Sequence, residues 1–238
     1  MASGWSHAYV FSMKLYFLSP RPSRRPAPPY RVSSPMRRLW AVVVLALLAL
    51  APVSAKAKDG AAGDIVKAFH ETLLTTMKKA DELGLSGRFE RLAPAVDKAY
   101  HLDLTARQSA GRRAWKDASE EERKAYLEAF RRWTIGTYAA QFDGWSGQEF
   151  QDHGEKPGPQ NGTVLVETEM TGEEPVTFTY LMVKSDGRWG VYDVLVRRGT
   201  TSISQLAKHI SEFKSTARKG LPALTETLTQ MAEAVAKK

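Results

Sequence analysis

The chain has 238 residues and no cysteine, with 34 Lys+Arg against 26 Asp+Glu, a formal net charge of +8. The lack of thiols excludes disulfide staples, thiolate nucleophiles, Cys-ligated zinc or iron–sulfur sites, and lipid attachment at a cysteine beside a leader. Residues 1–55 carry seven of the basic residues and no acidic one, so the chain from Lys56 on holds 27 basic against 26 acidic, a balance of +1, and an electrostatic case for nucleic acid lapses.

Arg37 and Arg38 precede an unbroken apolar run of 13 residues, Leu39 to Ala51, and Val53-Ser54-Ala55 and Ala55-Lys56-Ala57 are small-residue cleavage sites. This pattern predicts a secretory signal peptide over 36–57 that is removed. The run is shorter than the roughly 20 residues a spanning helix needs. Met36 reads as the translation start, and residues 1–35, rich in Pro, Arg and Ser, read as upstream sequence. Residues 58–238 are expected to form one domain, held by its apolar core alone. The compartment expected is the periplasm, if the source is a Gram-negative bacterium.

Helical spacing of Ile65, Phe69, Leu73, Leu74 and Met77 predicts a helix from about Gly63 to Glu82, stopped by Gly84. A second runs from about Arg88 to Tyr100, with Pro94 as a kink point. A third piece covers about Leu104 to Trp115. Ser119 and Glu122 form a capping box that opens the strongest helix, about Glu120 to Phe142. Its stripe is Tyr126, Leu127, Phe130, Trp133, Thr134, Tyr138 and Phe142. Such a stripe is either core or one wall of a cavity.

The period then changes from helical to alternating. Strands are expected at Glu149 to Gly154, Thr163 to Met170, Pro175 to Val183 and Arg188 to Val196, joined by turns at Pro157-Gly158, Asn161-Gly162 and Ser185-Asp186-Gly187. Beyond Gly199 the stripe Ile203, Leu206, Ile210 and Phe213 predicts a helix that Gly220 ends. Leu221-Pro222 restarts a last helix carrying Leu224, Leu228, Met231 and Val235. The order predicts an α+β domain: an antiparallel, curved sheet of about four strands, helices over one face, and an apolar cavity between.

Chemistry-bearing motifs are sparse. His7, His70, His101, His153 and His209 include no pair at i, i+4 and no HExxH, so each reads as a surface or interface residue and no metal is expected. Gly144-Trp145-Ser146-Gly147 lacks the G-x-S-x-G spacing of a nucleophile elbow. Asn161-Gly162-Thr163 matches a glycosylation acceptor by letter and reads as a turn. Arg112-Arg113, Arg131-Arg132 and Arg197-Arg198 read as solvated faces or contacts with a phosphate or acidic partner. Asp193, inside an otherwise apolar strand, is either a raised-pKa general base or, as favoured, a structural acceptor. No catalytic residue and no cofactor is assigned.

One stretch carries a resemblance. Gly111-Arg112-Arg113-Ala114-Trp115-Lys116-Asp117-Ala118-Ser119-Glu120-Glu121-Glu122-Arg123 runs on into Tyr126-Leu127-Glu128-Ala129-Phe130-Arg131-Arg132. It resembles the G-R-x-W-x-x-A-[ST]-x-E-x-R segment and its helix in the MlaC / toluene-tolerance family. Thr137-Tyr138-Ala139, Trp189 with Tyr192-Asp193-Val194, Ser211-Glu212-Phe213 and Lys219-Gly220-Leu221 follow in the family's order. The likeness spans about residues 64 to 231. Within the family, Thr134 to Gly147 and Tyr180-Leu181-Met182 look most like the hopanoid-associated HpnM subgroup. Gly199-Thr200-Thr201-Ser202-Ile203 replaces the usual Gly-Val-Ser after the last strand.

The resemblance implies a periplasmic carrier of a hopanoid or phospholipid. Such a carrier works between an inner-membrane ABC transporter complex and an outer-membrane partner. The physics agrees: at about 0.8 kcal/mol per buried CH₂, a 16-carbon chain in water is unfavourable by roughly 12 kcal/mol, so it needs a sheath. The expected lining is Phe130, Trp133, Tyr138 and Phe142 from the long helix, with Val176, Phe178, Tyr180, Met182, Trp189 and Val191 from the sheet. Two other readings stay open. One is a lipid-modifying enzyme using Asp193 with Tyr138 or Tyr192. The other is a fully packed scaffold.

Overall fold

The computed structural model of the chain describes residues 61–237, so the expectations for 1–35 and 36–57, and for the start of the 58–238 domain, lie outside the described residues. Among the described residues no helix is long and apolar enough to cross a membrane.

Two helices open the domain, α1 (Ala61–Met77) and α2 (Ala80–Ala99). Gly84 inside α2 takes φ 57°, which breaks the helical path where the glycine was expected to stop a helix. The expected third helix is two: α3 (Leu102–Ala110) and α4 (Arg112–Asp117), parted by Gly111 at φ 81°. α5 (Glu120–Gln141) starts as the capping box requires. Glu122 N donates to Ser119 Oγ at 3.2 Å, and Ser119 N donates to Glu122 Oε2 at 2.8 Å.

The sheet is an antiparallel meander in the order β1-β2-β3-β4-β5, of β1 (Phe150–Pro157), β2 (Thr163–Met170), β3 (Val176–Ser185), β4 (Arg188–Arg198) and β5 (Thr201–Ser204). It has five strands rather than about four. Gly199, at φ 56°, turns the chain so that Thr201–Ser204 pairs back onto Leu195–Arg198 before the helix begins. The alternation hid this strand because Ile203 also fits the helical stripe that follows. β1 passes beyond Gly154 through a register shift between Asp152 and Glu155. Two helices close the chain, α6 (Gln205–Ala217) and α7 (Leu221–Ala236), the latter with proline in its first turn.

Two apolar clusters hold these elements. Phe69 and Leu73 of α1, Val96 of α2, and Ile135 and Ala139 of α5 pack on Val166, Val176, Met182 and Val191 of the sheet. Tyr126, Phe130 and Trp133, also of α5, pack with Phe213 of α6 and Leu221, Leu224 and Leu228 of α7. One helix therefore serves both clusters from two arcs of its surface. That broad burial explains how a 22-residue helix whose first 13 residues include eight charged ones is held in place.

β4 contains the irregularity that positions the site. Leu181 pairs with Asp193 but Met182 pairs with Val191, so Tyr192 is the extra residue of a bulge. The carbonyl groups there are taken by the α2–α3 junction. His101 N donates to Val191 O at 3.0 Å, and Thr105 Oγ1 donates to Tyr192 O at 3.0 Å. The bulge shifts the parity of the strand, so Val194 and Val196 pair with Tyr180 and Phe178.

Candidate functional site

A cavity of about 320 Å³ lies between the two apolar clusters. Its walls are α5, the β3–β4–β5 part of the sheet, and α6, with the α2–α3 junction at one side. Phe130, Trp133 and Tyr138 of α5 and Phe142, the residue that caps its C-terminus, face it, as do Phe178 and Tyr180 of β3. These are six of the ten residues named as lining from sequence.

The other four lie elsewhere. Val176, Met182 and Val191 are 2%, 0% and 1% exposed in the cluster under α1, and Trp189 packs against that cluster from its edge. Position along the strands separates them: Val176 and Met182 flank Phe178 and Tyr180 on the same face of β3, and Val191 pairs with Met182, beyond the cavity. The extra residue at 192 puts Val194 and Val196 on that same face, opposite Tyr180 and Phe178, where they reach the wall.

Sequence reasoning missed the α6 wall. Leu206 lines the cavity as a stripe residue should, but Ile210 is 37% exposed and His209 takes the inward position. Spacing of i+3 from Leu206 was the available signal. Thr134 and Thr137 of α5 and Thr201 and Ile203 of β5 complete much of the rest.

The polar groups of the wall are mostly engaged. Asp193 is a structural acceptor: Ser204 Oγ donates to it at 2.6 Å, Leu206 N at 2.9 Å and Val194 N at 2.7 Å. The carboxylate thus ties β4 to the first turn of α6, where negative charge is favoured. Arg198 Nε faces Glu174 Oε2 at 2.9 Å, and Lys208 Nζ lies 3.9 Å from Glu212 Oε1. Tyr180 OH shares a 2.8 Å hydrogen bond with His70 Nε2, and the His70 ring stacks on Phe150 at 3.8 Å. Tyr100 OH and Tyr138 OH are bonded to each other. Burial pushes the Tyr138 phenol up to about 12 and those of Tyr100 and Tyr180 well above their ordinary value, so all three are neutral donors and acceptors.

Three of the histidines, His70, His101 and His209, differ from the surface role expected of them. His70 and His101 are 5% and 3% exposed. Burial lowers both His70 and His209 to about 3, so they are neutral. His153 is exposed, and His7 lies outside the described residues. Among the described residues no three His, Cys, Asp or Glu side chains gather as a metal site. Trp145 of the Gly144–Gly147 loop is 46% exposed and donates to Gln148 O at 2.9 Å. Arg131 forks onto Asp97 with two 2.7 Å bonds, a contact within the chain.

What such a wall can do is enclose an apolar body. Ring faces and aliphatic carbons supply most of it, and the polar atoms are neutral or paired. The volume lies at the small end of ligand pockets, about 300–1,000 Å³.

A search of curated proteins finds no match. Among solved structures, a phospholipid-binding protein from Ralstonia solanacearum, determined in complex with a phospholipid, superposes with a TM-score of 0.62. It is 21% identical, and the alignment covers 74% of this chain and 98% of that one, a likeness of fold. Residues 67–231 match the profile of the family described as "MlaC protein", which is most of the chain. The chain belongs to the MlaC family.

Proposed function

We propose that the protein is a lipid-binding carrier that shields the apolar part of a membrane lipid while it crosses the aqueous space between inner and outer membranes. The observation that carries this reading is the apolar cavity between α5, α6 and the β3–β4–β5 face. Membership of the MlaC family supports it, as does the bound phospholipid of the Ralstonia neighbour. The cargo is a phospholipid or a hopanoid. The hopanoid alternative rests on the HpnM-like stretch from Thr134 to Gly147.

Periplasmic residence follows from the leader pattern at 36–57, with residues 58–238 as the working domain. The carrier then exchanges cargo with an inner-membrane ABC transporter complex and an outer-membrane partner, a role taken from the family resemblance. We read the protein as a binding protein, not an enzyme. Asp193, the one acid among the described residues lining the cavity, is occupied by three donors, and the Tyr138 hydroxyl is bonded to Tyr100.

The test is transfer between vesicles. The delipidated chain from residue 58 should move a fluorescent phospholipid from quenched donor to acceptor vesicles at a rate proportional to protein concentration. Folded protein that leaves the rate at its spontaneous value refutes the reading.

A further inference from the structure

We propose that Tyr100 and Tyr138 form a polar subsite inside the cavity, which donates a hydrogen bond to an uncharged oxygen of the cargo: a hydroxyl, ester or ketone oxygen. This deepens the carrier reading and rests on it.

Proton counting gives the argument. Two phenols carry two protons, and the bond between Tyr100 OH and Tyr138 OH uses one of them. Neither hydroxyl has another hydrogen-bond partner among the described residues. One O–H is therefore left to donate, and both side chains face the cavity. A buried donor without an acceptor is costly, so an acceptor presented by a ligand recovers that loss. The Tyr180 hydroxyl, by contrast, is held by His70, and Phe69 sits edge-on to both Tyr100 and Tyr138 at 5.6 and 5.4 Å, fixing their rings.

The surroundings select the charge of the acceptor. Asp193 lines the same cavity as Tyr100 and Tyr138, and after burial and the neighbouring phenols its carboxylate also raises the Tyr100 phenol. A phosphate or carboxylate placed against the pair would meet that like charge. The cations of the wall are already opposite Glu174 and Glu212. A neutral oxygen accepts the proton without that repulsion.

The test compares two probes on delipidated protein: laurdan, a naphthyl ketone with an acyl tail, and diphenylhexatriene, which has no polar atom. Laurdan emission also reports whether its ketone is hydrogen-bonded. In the double variant Tyr100→Phe/Tyr138→Phe the ratio of laurdan to diphenylhexatriene affinity should fall about fivefold, the effect of one neutral hydrogen bond, with a blue-shifted laurdan spectrum. Either single variant still holds one phenolic proton, so its ratio should stay within about twofold of wild type. A double variant with the wild-type ratio and spectrum overturns the subsite, since water would then satisfy the donor. Should the double variant not fold, the infrared ketone stretch of laurdan bound to wild type decides: a free-carbonyl frequency overturns the proposal, a lowered one supports it. Wild type that binds neither probe refutes the carrier reading itself, a different outcome from loss of the ketone preference alone.

Discussion

Replacing Thr134 with phenylalanine separates a ligand cavity from a packed interior by the sign of one stability change. Thr134 sits on the α5 wall, and its Oγ1 is buried with no hydrogen-bond partner among the described residues, so the substitution sacrifices no bond. Helix propensity is nearly equal for the two residues. A phenyl ring brings about 100 Å² more apolar surface than threonine. At roughly 25 cal/mol per Å² this is worth about 2.5 kcal/mol when removed from water, less about 1 kcal/mol of rotamer entropy. Into a void of about 320 Å³ the ring fits, and the delipidated protein should gain about 1–2 kcal/mol. For a domain of this size that raises Tm by roughly 2–8 °C. The same ring occupies space meant for cargo, so diphenylhexatriene affinity should drop at least about tenfold. Calorimetry and a fluorescence titration read both quantities. If the wall were packed, overfilling would cost about 1–3 kcal/mol and Tm would fall. A lowered Tm with unchanged probe affinity refutes the reasoning.

Other expectations follow from single contacts. Asp193→Ala leaves Ser204 Oγ, Leu206 N and Val194 N without their acceptor and should cost about 3 kcal/mol, while Asp193→Asn, which keeps one oxygen, should cost less; chemical denaturation measures both. If Asp193 were instead a general base, Asp193→Asn would keep full stability. Gly190→Ala places a Cβ 2.5 Å from the His101 ring and should destabilise by about 1–3 kcal/mol in the same assay. The pH dependence has a definite sign. His70 and His209 have folded values of about 3 against about 6.5 unfolded, so the unfolded chain binds more protons between these limits. Stability is complete above about pH 6.5 and declines as pH falls toward 3. From pH 7 to 5.5 the two histidines together should remove about 2.5 kcal/mol, and melting curves of His209→Gln should show about half of that slope.

The helical half was legible because its signals are local. Ser119 and Glu122 satisfy the first backbone donors of α5 within one turn, and the aromatic stripe from Tyr126 to Phe142 needs no distant partner to be recognised. Ile135 and Ala139 were not seen as buried, because a second arc against the sheet exists only once α1 and α2 cover it. β2 was bounded as found, at Thr163–Met170, since its alternation is uninterrupted. β4 is the opposite case. Val191-Tyr192-Asp193-Val194 holds no glycine or proline to announce a bulge. The extra residue is accommodated by His101 N and Thr105 Oγ1, about 90 positions away in sequence. Those two long-range contacts hold the bulge that puts Val194 and Val196 on the face Val191 already occupies, and their place farther along the strand brings them to the wall. The inward turn of His209 is hidden for a similar reason: a buried neutral histidine looks polar in sequence, yet beside Trp133 and Phe213, at 4.9 and 5.8 Å, it behaves as another aromatic ring.

The most direct measurement is native mass spectrometry of the protein secreted from its full-length gene and purified without detergent. The carrier account predicts a species heavier than the folded chain by the mass of one lipid, which gentle activation releases intact. Only the bare chain, together with no uptake of an added apolar probe by the folded protein, would contradict it.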